Sequence, residues 1–171
     1  CGLGSAVIDG SKTALPRPQR SLVAENLAVM PPEGTAAILG NINFSLTAGE
    51  AMGIIGPSGS GKSSLVRTLT GIWPEAKGSI RIDGAALAHW APNMLGPDLG
   101  YLSQGVDLFD ATVAENIARM AGEPDGGAVV SAAQAAGAHD MILRLTQGYD
   151  TDVGQGGAIL SAGQRQRVAL A

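Results

Sequence analysis

The sequence predicts an α/β fold, on three observations. First, the glycine-rich stretch "GPSGSGKSS" at residues 56–64 follows the short apolar run "AMGII" and precedes Leu65, Leu69 and Ile72 at helical spacing. Second, short alternating or apolar runs separated by turn residues fill the chain on either side of that stretch, the pattern of strands. Third, the composition turns helical from Thr112 onward. The order is strands, glycine loop, strands, then a helical block, whereas a simple kinase-like chain would place its next parallel strand soon after the first helix.

Residues 1–20, "CGLGSAVIDGSKTALPRPQR", are rich in Gly, Ser and Pro and read as a linker or fraying helix end. "SLVAENLAV" and "GNINFSLTAGEAMGIIG" read as strands, with "AMGII" apolar on both faces as a central parallel strand should be. The helix after the glycine loop ends near "GIWPEAKG", where Pro74 and Gly78 punctuate the chain. "SIRIDG" is then an alternating strand and "DLGYLSQ" a buried one ending at Gln104. In "TVAENIARM", Thr112 and Glu115 form a capping box, and "AVVSAAQAAGAHDMILRL" carries a long apolar stripe. Ser161 and Gln164 in "LSAGQRQRVALA" make a second capping box, so a helix starts there with its N-terminus available to an anion. No internal repeat or low-complexity tract is present.

The spacing of Gly56, Gly61, Lys62 and Ser63 fits G-x-x-x-x-G-K-[ST], a phosphate-binding loop between a buried strand and a helix. Glycines at 56, 59 and 61 let successive N–H groups converge on phosphate oxygens. The helix starting near Lys62 adds its dipole, Lys62 reaches the β- and γ-phosphates, and the Ser63 hydroxyl suits Mg²⁺. The expected ligand is a nucleoside triphosphate.

At 171 residues the chain is one ordinary domain or a large part of one. A net charge of −4 and only two each of Phe, Trp and Tyr argue against nucleic-acid binding, which needs a basic field or stacking platforms. The single cysteine, Cys1, excludes an internal disulfide and suits a reducing compartment. No run approaches the ~20 apolar residues of a membrane helix, which implies a soluble segment. Both ends read as cuts, since the chain opens without Met and stops inside an apolar helical pattern.

Three segments together decide among P-loop families: "GPSGSGKSS" resembles the Walker A loop, Gln104 in "YLSQGVDLFDATVAENI" the Q-loop, and "LSAGQRQR" the signature of ABC transporter nucleotide-binding domains. The resemblance runs from about Ser21 to the last residue. "GIWPEAKGSIRIDG", "LFDATVAENIARM" and "HDMILRLTQGYDTDVG" look most like type I secretion exporters of proteases, lipases and RTX-type proteins. It implies an ABC-type core over residues 21–171, with an antiparallel β subdomain and an inserted helical subdomain at about 105–165, ending before Walker B. Residues 1–20 would join an upstream transmembrane domain on the same chain.

By that resemblance Gly56, Pro57, Ser58, Gly59, Ser60, Gly61, Lys62, Ser63 and Ser64 bind the ATP phosphates. Ser63 and Gln104 meet Mg²⁺, Lys62 and Gln104 serve hydrolysis, and Ser161, Gly163 and Gln164 contact ATP held by a second ABC domain in a homodimer. A periplasmic adaptor and an outer-membrane channel are implied partners, and the cytoplasmic face of the bacterial inner membrane is the implied location. The Walker B aspartate, catalytic glutamate and switch histidine would lie beyond Ala171. So would a central strand, whose neighbours are expected to be unpaired here. His89 and His139 come too early for the switch and read as surface or packing residues.

Three positions depart from the pattern. Ala162 replaces the first signature glycine, Pro31 stands where exporters place an aromatic under adenine, and Gln155 stands where many have a glutamate. With the catalytic glutamate outside the chain, an ATP-binding regulatory module with little hydrolysis is the alternative reading. Soluble ABC ATPases of DNA repair or translation are disfavoured by the acidic charge.

Overall fold

Strand β1, Ser21–Val29, buries Ala24, Leu27 and Val29, a set that strict alternation cannot deliver. A side-chain period of two sends positions 24 and 27 to opposite faces. In the computed structural model, which describes residues 15–171, a β-bulge resolves the conflict. Strand β2 (Leu39–Thr47), helix α1 (Lys62–Leu69), strand β3 (Glu75–Ile82) and the short β4 (Ala85–Ala86) follow β1. The strands form one antiparallel sheet in the order β2-β1-β3-β4. Pairing of β1 with β2 steps from Ala24↔Phe44 to Leu27↔Ile42, and with β3 from Glu25↔Ser79 to Ala28↔Lys77. One residue of β1 is therefore extra on both sides.

That residue is Asn26, at φ 48°. Its N–H donates instead to Asn43 Oδ1 at 2.8 Å. Opposite the bulge lies Gly78, φ 91°, where any Cβ would fall on the carbonyl oxygens of Glu25 and Asn26. Only glycine lets β3 approach so closely.

The chain's contacts divide it into two compact units, one up to Tyr101 and one over Leu102–Ala171. In the first, the inner sheet face (Ala24, Leu27, Val29, Ile80, Ile82) packs with Leu65 and Leu69 of α1 and with Leu87, Trp90 and Leu95. Leu95 ends the one-turn helix α2, Pro92–Leu95. Helix α1 holds its place through buried Leu65, Thr68 and Leu69 at i, i+3, i+4, and each fully buried leucine contributes roughly 1.5–3 kcal/mol.

Ile72 belongs to a different environment from the one its spacing predicts. Helix α1 ends at Leu69, Gly71 takes φ 74°, and Ile72 is exposed beyond it. The expected buried strands "AMGII" and "DLGYLSQ" are likewise not formed: residues 51–57 and 99–103 have no regular structure, and Ile55 is 95% exposed. A parallel strand exists only through its neighbours, and among the described residues no strand lies beside either segment.

Residues 1–14 of the expected linker lie outside the described residues. Of the remainder, Gln19, Arg20 and the adjoining Ser21 donate backbone N–H bonds of 2.7–2.8 Å to the Asp83 carboxylate. Arg17 pairs with Asp98 at 2.6 Å.

The second unit is helical: α3 (Val113–Ile117), α4 (Gly126–Ala135), α5 (His139–Ile142) and α6 (Ala162–Leu170). Its core joins Val113, Ile117, Val129, Ala133, Ile142, Val153, Leu160 and Val168. Both halves of the Thr112/Glu115 capping box are present, and Thr112's backbone N–H and hydroxyl hold the Glu115 carboxyl below its ordinary range. The long apolar stripe is two helices rather than one. Gly137, φ 63°, ends α4 with N–H bonds from Gly137 to Gln134 O (3.0 Å) and from Ala138 to Ala133 O (2.8 Å), a Schellman motif. His89 is exposed, and His139 Nδ1 lies 2.8 Å from the Tyr149 hydroxyl.

Candidate functional site

The loop at 56–64 turns on glycines at positive φ, 79° at Gly59 and 88° at Gly61. Gly61 has a further reason to be glycine, because a Cβ there would meet Leu39 Cγ at 3.0 Å. Gly61 is also the N-cap of α1, with no side-chain cap bond and no acidic residue in the first turn. The first intrahelical bond runs from Leu65 N–H to Gly61 O at 2.9 Å. The amides of Lys62, Ser63 and Ser64 therefore precede the ladder, and the positive end of the dipole carries no carboxylate of its own. Ser63 is exposed.

Lys62 bends back over this loop. Its Nζ donates to Gly56 O at 2.8 Å and Pro57 O at 2.7 Å, with Ser60 Oγ at 3.5 Å. The ammonium thus sits among the loop's own carbonyls at the uncapped helix end. Gly56 through Ser64 are brought together as one continuous element, and the set of donors matches an anion with several oxygens.

The second unit carries a similar helix start. Ser161 Oγ accepts the Gln164 N–H at 3.4 Å and Gln164 Oε1 accepts the Ser161 N–H at 2.8 Å, so the capping box is complete. Ser161, Ala162 and Gly163 are exposed, and a Cβ on Gly163 would meet nothing within 4 Å. The first turn of α6 contains no acid, whereas that of α3 contains Glu115. A neutral Gln164 therefore closes this cap without repelling an anion. Gln104 is exposed in a turn where Ser103 Oγ donates to Gly105 O.

Two residues of this architecture escaped sequence reasoning. Leu39 walls Gly61 from more than twenty positions away, and Arg165 lies against the turn before Ser161. Neither contact has a local pattern that could announce it. Pro31 accepts the Gly34 N–H at 2.9 Å in the turn after β1 and presents no ring face of aromatic type. Among the described residues no three His, Cys, Asp or Glu side chains gather as a metal cage, and no helix is long and apolar enough to cross a membrane.

A glycine-built loop closed by a lysine, running into an uncapped and acid-free helix, defines a P-loop nucleotide-binding domain. The comparisons agree on which kind: the ABC transporter family model matches residues 39–171, and the chain belongs to that family. It is 54% identical over 157 residues to the type I secretion system ATP-binding protein PrsD of Rhizobium meliloti, covering 92% of this chain and 27% of that protein. It is 39% identical over 160 residues to the alpha-hemolysin translocation ATP-binding protein HlyB of Escherichia coli, covering 94% and 23%. A solved structure of a bacterial Atm1-family ABC exporter with ATP bound is similar at TM-score 0.83 and 37% identity, covering 95% of this chain and 28% of that one. The chain thus spans about a quarter of the length of these relatives.

Proposed function

We propose that this chain is the ATP-binding and ATP-hydrolysing domain of a type I secretion exporter. The observation that carries the reading is the pair of acid-free helix starts, α1 behind the glycine loop and α6 behind Ser161. Gly56–Ser64 hold the phosphates, and Lys62 exchanges the carbonyls of Gly56 and Pro57 for β- and γ-phosphate oxygens. The exposed Ser63 hydroxyl, a hard oxygen donor beside that loop, fits Mg²⁺, and Gln104 takes the Q-loop role that the family resemblance gives it. When bound with nucleotide, Mg²⁺ neutralises charge on the transferred phosphate.

Ser161, Gly163 and Gln164 act on the γ-phosphate of ATP held by a second copy. Two composite sites then form only when the chains close, and their positive helix ends meet the phosphate in that state alone. Residues 1–20 join a transmembrane domain and 21–171 form the ABC domain, with its helical part at about 105–165. The domain works at the cytoplasmic face of the bacterial inner membrane, with a periplasmic adaptor and outer-membrane channel completing the export path. The names of the type I secretion and translocation relatives support the export reading.

Linked heterodimers of the full-length protein test the shared site. One Lys62→Ala chain joined to one Ser161→Arg chain keeps one intact composite site, whereas both changes on a single chain damage both. The first is expected to turn over more ATP than the second. The reverse ranking means that each chain uses its own signature helix, and the reading loses its mechanism.

A further inference from the structure

The turn that leads into α6 is closed by a side chain from the helix itself. Arg165, four positions past the Ser161 cap, reaches back over the turn, as helical side chains lean toward the N-terminus. Its Nη1 donates to Leu160 O at 2.8 Å and to Gly157 O at 3.3 Å. Gly157 O also accepts the Leu160 N–H at 3.0 Å. One guanidinium nitrogen thus ties the first and last residues of the turn Gly157–Leu160.

The stem of Arg165 rests on Gly157. A Cβ at Gly157 would lie 2.7 Å from Arg165 Cδ, 3.1 Å from its Cγ and 3.2 Å from Leu108 Cδ1. Gly157 is buried and adopts φ 75°, so conformation and neighbour both require glycine. Leu160, 3% exposed, immediately precedes the cap. Gln164 fixes the Ser161 backbone from one side, and Arg165 fixes the carbonyl before it from the other.

Helix electrostatics give no reason for this arginine, because a cation in the first turn opposes the macrodipole. Among the described residues it forms no ion pair that would offset that placement. Its geometry serves the turn.

We propose that Arg165, seated on Gly157, is a positioning residue for the phosphate-facing end of α6. It does not touch nucleotide. It sets the depth at which Ser161 and Gly163 are presented to the γ-phosphate across the dimer, a role that rests on the shared-site reading above.

The test compares Arg165→Met, Arg165→Lys, Gly157→Ala and the Gly157→Ala/Arg165→Met double variant in the full-length protein, with Lys62→Ala and Ser161→Arg as references. Arg165→Met and Gly157→Ala are expected to bind ATP as wild type does but to lose about tenfold or more in kcat, since small misplacements at a reacting group are costly. The double variant is expected to be no worse than the more severe single, because both remove one device. Arg165→Lys, which keeps a donor, recovers part of kcat.

Additive losses in the double variant overturn the proposal, as does a defect in Arg165→Met that vanishes at high salt while Gly157→Ala stays fully active. Should Gly157→Ala fail to fold, the contrast between Arg165→Met and Arg165→Lys decides, and equal kcat in those two overturns it. Full turnover by Ser161→Arg removes the shared-site reading itself. Inactive Lys62→Ala and Ser161→Arg beside fully active Arg165→Met and Gly157→Ala remove only the role given to Arg165.

Discussion

The Lys62 ammonium lies 2.8 Å from the Gly56 carbonyl oxygen, donating into the loop that its own helix closes. A phosphate arriving there competes with two backbone carbonyls, both on an exposed loop, rather than with a buried carboxylate. Little stability is tied up in the contact, so the lysine is free to follow the ligand.

Lys62→Ala in the full-length protein is therefore expected to lower ATP turnover by about 10²–10³-fold, the usual effect of removing a charged donor from developing phosphate charge. Stability is expected to change by less than about 1 kcal/mol. Turnover and unfolding measured on the same preparation check both halves, and near-wild-type turnover removes the loop's assignment.

Gln164→Glu separates the cap from the site. The acyl oxygen that accepts the Ser161 N–H is retained, and a carboxylate in the first turn is expected to stabilise α6 by about 0.3–1 kcal/mol. The same charge faces the incoming phosphate, at a cost on the order of 1–2 kcal/mol, so turnover is expected to fall roughly tenfold. A more stable protein with unchanged turnover would show that no anion comes to this helix end.

Gly78→Ala tests the bulge. The added methyl meets the Glu25 and Asn26 carbonyls at a residue held at φ 91°, and a loss on the order of 2–4 kcal/mol is expected in denaturant unfolding. A loss under 0.5 kcal/mol, on the order of an ordinary surface change, would mean that the sheet can slide past the bulge.

Asp83 predicts a pH response. The backbone N–H of Gln19, then that of Ser21, hold its carboxyl below the ordinary range. A depressed folded-state value means stability that is present above the unfolded value, near pH 4, and lost as pH falls through the folded one. Protection of the Gln19, Arg20 and Ser21 amides from exchange, relative to their intrinsic rates, is expected to fall below about pH 4, and Asp83→Asn to lack it already at neutral pH. Equal protection in the variant would contradict the carboxylate's role.

Pro31 bears on base selectivity. With no aromatic ring in the turn it shares with Gly34, ATP and GTP are expected to bind within about 1.5 kcal/mol of each other, the size of an aromatic contact. A preference for ATP above about 2 kcal/mol would assign adenine recognition to another residue.

What the sequence determined by itself is chiefly what neighbours along the chain make together. The spacing from Gly56 to Ser63 and the two capping boxes at Thr112/Glu115 and Ser161/Gln164 were legible because a cap or a phosphate loop is made by neighbours along the chain. Strand β1 was legible to the residue for a different reason, as an apolar run between turn formers, although its partners lie far along the chain. Tertiary structure alone decided the rest. Alternation in β1 contains its own contradiction at Ala24 and Leu27, and the answer lies in Asn43 and Gly78, far off in the chain. Leu39 over Gly61 and the Arg165 stem on Gly157 are steric seats with no periodic signal. "AMGII" has the sequence of a buried strand yet stays unpaired, because a strand's hydrogen bonds are made by other segments and no run of residues can supply its own partner.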